Sequence, residues 1–183
     1  MLRDLIAKNR SYRRFHQDVA VDEDTLRELV DLARLSASAG NRQALKFFLS
    51  ADPEKNARIF PLIGLAGSPG EAEAPTAYIV ILGDTTISSS FGCDHGIAAQ
   101  SILLGAAEKG LGGCMVGMVQ RKKLSQVLGI PKHYEILLLL AIGKPKEKAV
   151  IEPLGEDGVT SGWWDDAGIR HVPKRSLDEL IVG

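Results

Sequence analysis

The sequence predicts an α+β protein, with a mixed central sheet of about four or five strands flanked by helices. Two apolar runs carry this prediction. AYIVILG (77–83) and EILLLLAIG (135–143) each read as a strand buried on both faces. The third observation concerns order along the chain. Strands and helices do not alternate as regular βα units, and no GxGxxG follows the first strand, so a doubly wound fold is not expected.

Leu2, Leu5 and Ile6 stand at helical spacing and predict a short helix leading into NRSYRRF (9–15). Asp22 reads as the N-cap of a helix ending near Leu35, with Leu26, Leu29, Val30 and Ala33 as its apolar stripe. SASAGNRQ (36–43) is small and polar and predicts a loop, and KFFLS (46–50) a short strand. Pro53 to Leu65 is expected to be helical, and GSPGEAEAP (67–75) a flexible surface connection. A long helix should run from Asp94, its expected cap, to Lys109, packing inward through Ala98, Ala99, Ile102, Leu103, Ala106 and Ala107. Its small residues permit a close helix-to-helix approach, and Gly110 and Gly112 stop it. CMVGMV (114–119) follows as a strand. Arg121 to Leu128 then reads as a helix closed by Gly129 and Pro131. Beyond Pro145 the periodicity weakens, and only SLDELIVG (176–183) suggests a helical turn. Residues 1–183 therefore read as a single domain, with 146–183 as a tail that has no core of its own and packs across a partner. Trp163 and Trp164 are expected to anchor that tail by burial.

Apolar residues form 45% of the chain and charged residues 25%, ordinary values for a globular domain. With 22 basic against 23 acidic residues, no bulk field draws nucleic acid or an anionic membrane. The longest apolar run, Ile136 to Ile142, is too short to span a bilayer. MLRDLIAKNR lacks the pattern of a signal or transit peptide. Cys93 and Cys114 form no metal-binding grid, so no metal is expected; two free thiols suit a reducing cytoplasm. P-loop, HExxH and GxSxG patterns are absent.

Against this neutral background RSYRR stands out. It is either a solvated loop or an anion site, in which guanidinium forks and the Ser11 hydroxyl grip phosphate oxygens. In an extended segment Ser11 and Arg13 share one face while Arg10 and Arg14 take the other. HVPKR (171–175) is a second basic knot, whose Lys174 and Arg175 could close the same site. In SASAGNRQ the polar side chains of Ser38, Asn41 and Gln43 suit the edge of a heterocycle, or simply a polar cap. The glycines of LGGCMVGMV either let backbone approach a flat ligand or make a tight turn. Asp94 and His95 resemble an acid/base pair, although Asp94 reads better as structural. His16, His133 and His171 look like surface residues.

RSYRRF, SASAGNRQ, DHGIAAQSILLGAAEKGLGGCMVG and a terminal PKR before SLDEL, in this order, resemble the nitroreductase family over nearly the whole chain. The tail GWWDDAGIRHVPKRSLDEL looks like a branch of short, poorly characterised members. The resemblance implies a mixed sheet flanked by helices and an intertwined homodimer with FMN at the interface, the Asp94–Lys109 helix packing there. It implies that Arg10, Ser11, Arg13, Lys174 and Arg175 hold the FMN phosphate, with Arg14 pointing elsewhere. Ala37, Ser38, Asn41 and Gln43 would lie against the ribityl chain and the isoalloxazine edge, and Met115, Val116 and Gly117 would face the ring. The implied activity is hydride transfer from NADH or NADPH through flavin N5 to a nitroaromatic or quinone, with no catalytic side chain. Oxygen-dependent flavin chemistry without NAD(P)H, or flavin binding without turnover, are the open alternatives. The chain departs from the family pattern at Asn9, where a basic residue is usual, at Ala37, where proline is, and at Ala44 and Leu45, where Pro-Trp is. The family's aromatic gating helix is not recognisable in RIFPLIGLAGSPG.

Overall fold

Asp22 behaves as its sequence predicts. Its carboxylate accepts the Thr25 N–H at 2.7 Å and opens helix α2, Glu23–Leu35. The computed structural model describes residues 1–67 and 69–183. Ser68, inside the expected surface connection, lies outside the described residues. The chain forms two compact units, Met1–Lys146 and Glu147–Gly183.

The first unit begins with helix α1, Leu2–Lys8, and a two-residue strand β1, Phe15–His16. After α2 come β2 (Leu45–Ser50), α3 (Pro53–Ile59), β3 (Ala77–Asp84), α4 (Asp94–Glu108), β4 (Gly112–Val116), α5 (Arg121–Leu128) and β5 (Tyr134–Pro145). Helix α3 is shorter than expected, because Pro61 converts its continuation into a single 3-10 turn, Phe60–Leu62. The connection at 67–75 contains another such turn, Glu71–Glu73. Gly129, at φ 64°, ends α5 in the left-handed region.

Strand β5 is the organiser. It pairs antiparallel with β3 along one edge, while β4 and then β1 follow one another along the other; β2 pairs with the far side of β3. Among the described residues, parallel pairing enters this sheet only at the Ser11–Gly113 bridge. Both faces are covered, and the core splits by the strand period of two. Ile79, Ile81, Leu140 and Ile142 pack under α2 and α4. Tyr78, Val80, Leu139 and Ala141 pack on the opposite face with Ile59 of α3 and Leu124 of α5. Double coverage explains why β3 reads as an unbroken apolar run despite antiparallel pairing.

The small residues of α4 do what their sizes suggest. A Cβ at Gly105 would lie 2.2 Å from Leu32 Cδ1, so the glycine gives the Leu32 side chain its place in the α2–α4 crossing. Ser36 and Ser101 share a hydrogen bond at 2.7 Å across the same crossing, and Glu28 pairs with Lys109. No helix among the described residues is long and apolar enough to cross a membrane.

The second unit, expected to lack regular structure, holds a three-stranded sheet: β6 (Lys148–Pro153), β7 (Trp163–Trp164) and β8 (Ile169–Lys174), ordered β6-β8-β7. β6 and β8 run parallel, and β7 is antiparallel to β8. Turn residues and short strands hide this sheet from any periodicity argument. Within the chain itself the two indoles are not buried, being 51% and 48% exposed. Trp163 instead stacks on His171, centroids 3.9 Å apart and rings within 2° of parallel.

His171 is therefore not the surface residue its sequence suggested. Its Nδ1 lies 2.6 Å from Glu152 and its Nε2 3.2 Å from Asp165. Burial works against charging the ring, but hydrogen bonds to Asp165 and Glu152 outweigh it and hold the imidazole above its ordinary 6.5. The folded value exceeds the unfolded one, so this stabilisation is complete below pH 6.5 and fades as pH rises through the raised value. Ring-proton NMR should show His171 titrating above 6.5; a midpoint below that value would refute the clamp.

Candidate functional site

The basic N-terminal cluster is held on the sheet, not free in a loop. Ser11 bridges to Gly113, and the Tyr12 N–H donates to the Gly113 carbonyl at 3.0 Å. The Tyr12 hydroxyl donates to the Lys8 carbonyl at 3.0 Å, tying the segment to the end of α1. Room for this contact comes from β4: a Cβ on Gly112 would meet Tyr12 Cδ2 at 2.6 Å.

Within the cluster the arginines separate by role. Arg10 anchors one guanidinium nitrogen on the Ile6 carbonyl, while its Nε is buried with no hydrogen-bond partner among the described residues. Arg13 is half-buried and donates to the Ser11 carbonyl at 3.1 Å. Arg14 turns away to Glu73, 3.6 Å distant. Glu73 also accepts Lys146 at 2.8 Å, and that hydrogen bond, reinforced by Arg14, holds its carboxyl below the ordinary range. Arg10, Ser11 and Arg13 are thus gathered in one stretch, and Arg14 is committed elsewhere.

Two residues past the Ser11 bridge, β4 presents Met115, 38% exposed, and ends at buried Val116, with exposed Gly117 just beyond it. Val116 packs in the core toward α5, so only its backbone is available to a ligand. Arg121 fastens this exit. It donates to the carbonyls of Gly117 at 3.4 Å, Ile136 at 3.0 Å and Leu137 at 3.4 Å. Leu137 is the extra residue where β5 bulges opposite Ile81 and Leu82, and Ile136 is the paired residue before it. Nothing in the sequence around Arg121 signals this role.

The SASAGNRQ loop is more constrained than a polar cap. Gly40, Asn41 and Gln43 all have positive φ, at 58°, 52° and 51°. For the two non-glycines this costs about 1–2 kcal/mol each. The Ser38 hydroxyl accepts the Gln43 N–H at 3.1 Å, and the Ala39 N–H donates to both oxygens of Asp94, at 3.0 and 3.2 Å. Asp94 is 6% exposed. It does not cap α4; Cys93 occupies the N-cap, and Asp94, in the first turn, clamps the loop instead. His95 forms no hydrogen bond with it. Ala37, Ser38, Gln43 and Asp94 line one cavity of about 150 Å³ with Phe47 and Ala98. Asp94→Ala strands the Ala39 N–H and is expected to cost about 1–3 kcal/mol. Thermal unfolding and amide exchange at Ala39 measure this, and unchanged protection there would dismiss the clamp.

Lys174 and Arg175 close β8 in the second unit, where Arg175 lies 3.4 Å from Glu179. Ala44, one of the departures from the family pattern, is 3% exposed and packs as core; Leu45 begins β2.

Comparisons with known proteins find both similar sequences and similar folds. The sequence profile of the nitroreductase family matches residues 6–77 and 72–144. An NADPH-flavin oxidoreductase of Vibrio harveyi is 26% identical over 168 residues, covering 82% of this chain and 68% of that protein. Among solved structures, an FMN-dependent nitroreductase from Clostridium difficile R20291 is 27% identical with a TM-score of 0.66, covering 79% of this chain and 87% of its own. A nitroreductase family protein from Clostridium novyi NT is 26% identical with a TM-score of 0.69, covering 80% and 87%.

Proposed function

The chain belongs to the nitroreductase family, and on that premise we propose an NAD(P)H-dependent FMN oxidoreductase whose acceptors are nitroaromatics or quinones. One observation supports the cofactor most directly. Arg10 is fixed on one side by Ile6 and keeps a buried Nε without a partner, beside Ser11 and the half-buried Arg13. An unpartnered guanidinium N–H next to a hydroxyl and a second guanidinium suits a phosphate monoester, so FMN fits the residues present.

In this reading Arg10, Ser11 and Arg13, joined by Lys174 and Arg175, bind the phosphate. The Ala37–Gln43 loop, pre-formed by Asp94 and Ser38, places the Asn41 and Gln43 amides against the ribityl chain and ring edge. Met115 and the backbone of Val116 and Gly117 wall the ring, their course set by Arg121. When bound, FMN supplies a ring that accepts hydride from NAD(P)H and donates it to an oxidised acceptor. The side chains position and neutralise.

A homodimer with FMN at its interface completes the proposal, with residues 146–183 reaching across the partner. Its support is the apolar surface left by Leu2 and Ile6 on α1, Leu32 and Leu35 on α2 and Ile97 on α4, all more than a third exposed. The cytoplasm is the proposed location; both cysteines are free thiols. An anaerobic visible spectrum tests the reading. The purified protein should be yellow and bleach on addition of NADPH or NADH. Flavin that neither donor bleaches would overturn the reaction, and a protein that cannot be loaded with FMN would overturn the cofactor.

A further inference from the structure

At the end of the sheet where β2 leaves and β3 enters lies a cleft of about 310 Å³. Its walls come from Ala51 at the end of β2, Asn56, Ala57 and Phe60 in and after α3, and Pro75, Thr76 and Tyr78 leading into β3. None of these residues belongs to the site described above. The volume falls at the lower end of small-molecule clefts and is about twice that of an apolar cavity known to hold benzene.

The polar wall is mostly satisfied. Asn56 accepts the Ser50 hydroxyl at 2.7 Å and donates to the Thr76 carbonyl at 2.8 Å, and the Gln17 amide donates to the Ala74 carbonyl. Two hydroxyls in the wall are different. Thr76 Oγ1 and Tyr78 Oη are buried with no hydrogen-bond partner among the described residues, and Tyr78 is 0% exposed. Buried polar groups are normally paired, so two orphaned hydroxyls on residues that line one cleft mark a place for an oxygen from outside the chain. Burial pushes the Tyr78 phenol well above its ordinary value, so it stays a donor. The one charged residue in the lining is Glu71, which disfavours an anion.

We propose that this cleft is a second small-molecule site, taking an uncharged, largely apolar molecule of one or two rings whose hydroxyl or carbonyl oxygen pairs with Tyr78 and Thr76. The test titrates 2-naphthol, naphthalene and 2-naphthoate into the FMN-loaded full chain, by calorimetry and by NMR of alanine methyls. The expected result is saturable 2-naphthol binding that shifts the Ala51, Ala57 and Ala74 methyls, with 2-naphthoate far weaker. Tyr78→Phe, which removes only an unpaired hydroxyl, should weaken 2-naphthol roughly 2- to 10-fold and leave naphthalene unchanged. Ala57→Trp, at an exposed position of α3, should plug the cleft and abolish binding without altering the flavin spectrum. Absence of saturable binding, which leaves the hydroxyls to water, would overturn the proposal. So would binding that survives Ala57→Trp, equal affinity for all three probes, or shifts confined to the Ala37–Gln43 loop.

Discussion

Gly113→Ala should destabilise the protein more than any other single methyl insertion considered above. The new Cβ would sit 2.4 Å from the Ala141 carbonyl oxygen and 2.8 Å from Leu103 Cδ2. The first is backbone of β5, so no rotamer change relieves it, and β4 must leave the strand it pairs with. Gly113 also accepts the Tyr12 N–H and bridges to Ser11, so the same shift dislodges the basic cluster. We expect a loss of about 3 kcal/mol, at the upper end of overpacking costs. In a domain of this size that is a fall in Tm of about 6–12 °C. The comparison is Gly112→Ala, whose clashes at 2.6 and 2.7 Å are with the Tyr12 and Pro145 rings and not with the backbone of β5. Equal unfolding temperatures for Gly113→Ala and the parent would show that β4 is not held as described.

Arg13→Ala is expected to weaken FMN binding roughly 10- to 150-fold, the range for one charge-assisted contact. Arg13 is half-buried and donates to the Ser11 carbonyl, so the unfolding temperature of the variant is measured beside its affinity. Arg14→Ala is the matched control. Its guanidinium is committed to Glu73 and should contribute little to affinity. Quenching of FMN fluorescence on titration separates the two variants. If both lower affinity equally, the cluster acts as a diffuse positive charge and not as a phosphate cradle.

Much of this could be read from local chemistry. The Asp22 cap, the α2 stripe, the buried runs of β3 and β5, the Gly129 stop and the small residues of α4 each rest on neighbours within a turn or a few residues, and all appear where expected. The order of the basic, polar-loop and glycine blocks was sufficient to suggest the family.

What sequence could not supply depends on groups far apart in the chain. Asp94 reads as a cap because an acid at a helix start is the commonest local pattern; only folding places Ala39, fifty-five positions earlier, against it. Arg121 has no local signature, since its acceptors include a bulge created by the β3–β5 register. His171 looks solvated until β6 and the turn before β8 bring Glu152 and Asp165 to its two nitrogens. The orphaned hydroxyls of Thr76 and Tyr78 sit just before and within a run whose apolar character is all that periodicity records. Sequence alone determined the family and most elements of the first unit, because backbone propensity and side-chain period are local. The tertiary structure decided which polar groups are paired, clamped or left open, because burial and hydrogen-bond partnership are set by chain segments that meet only on folding.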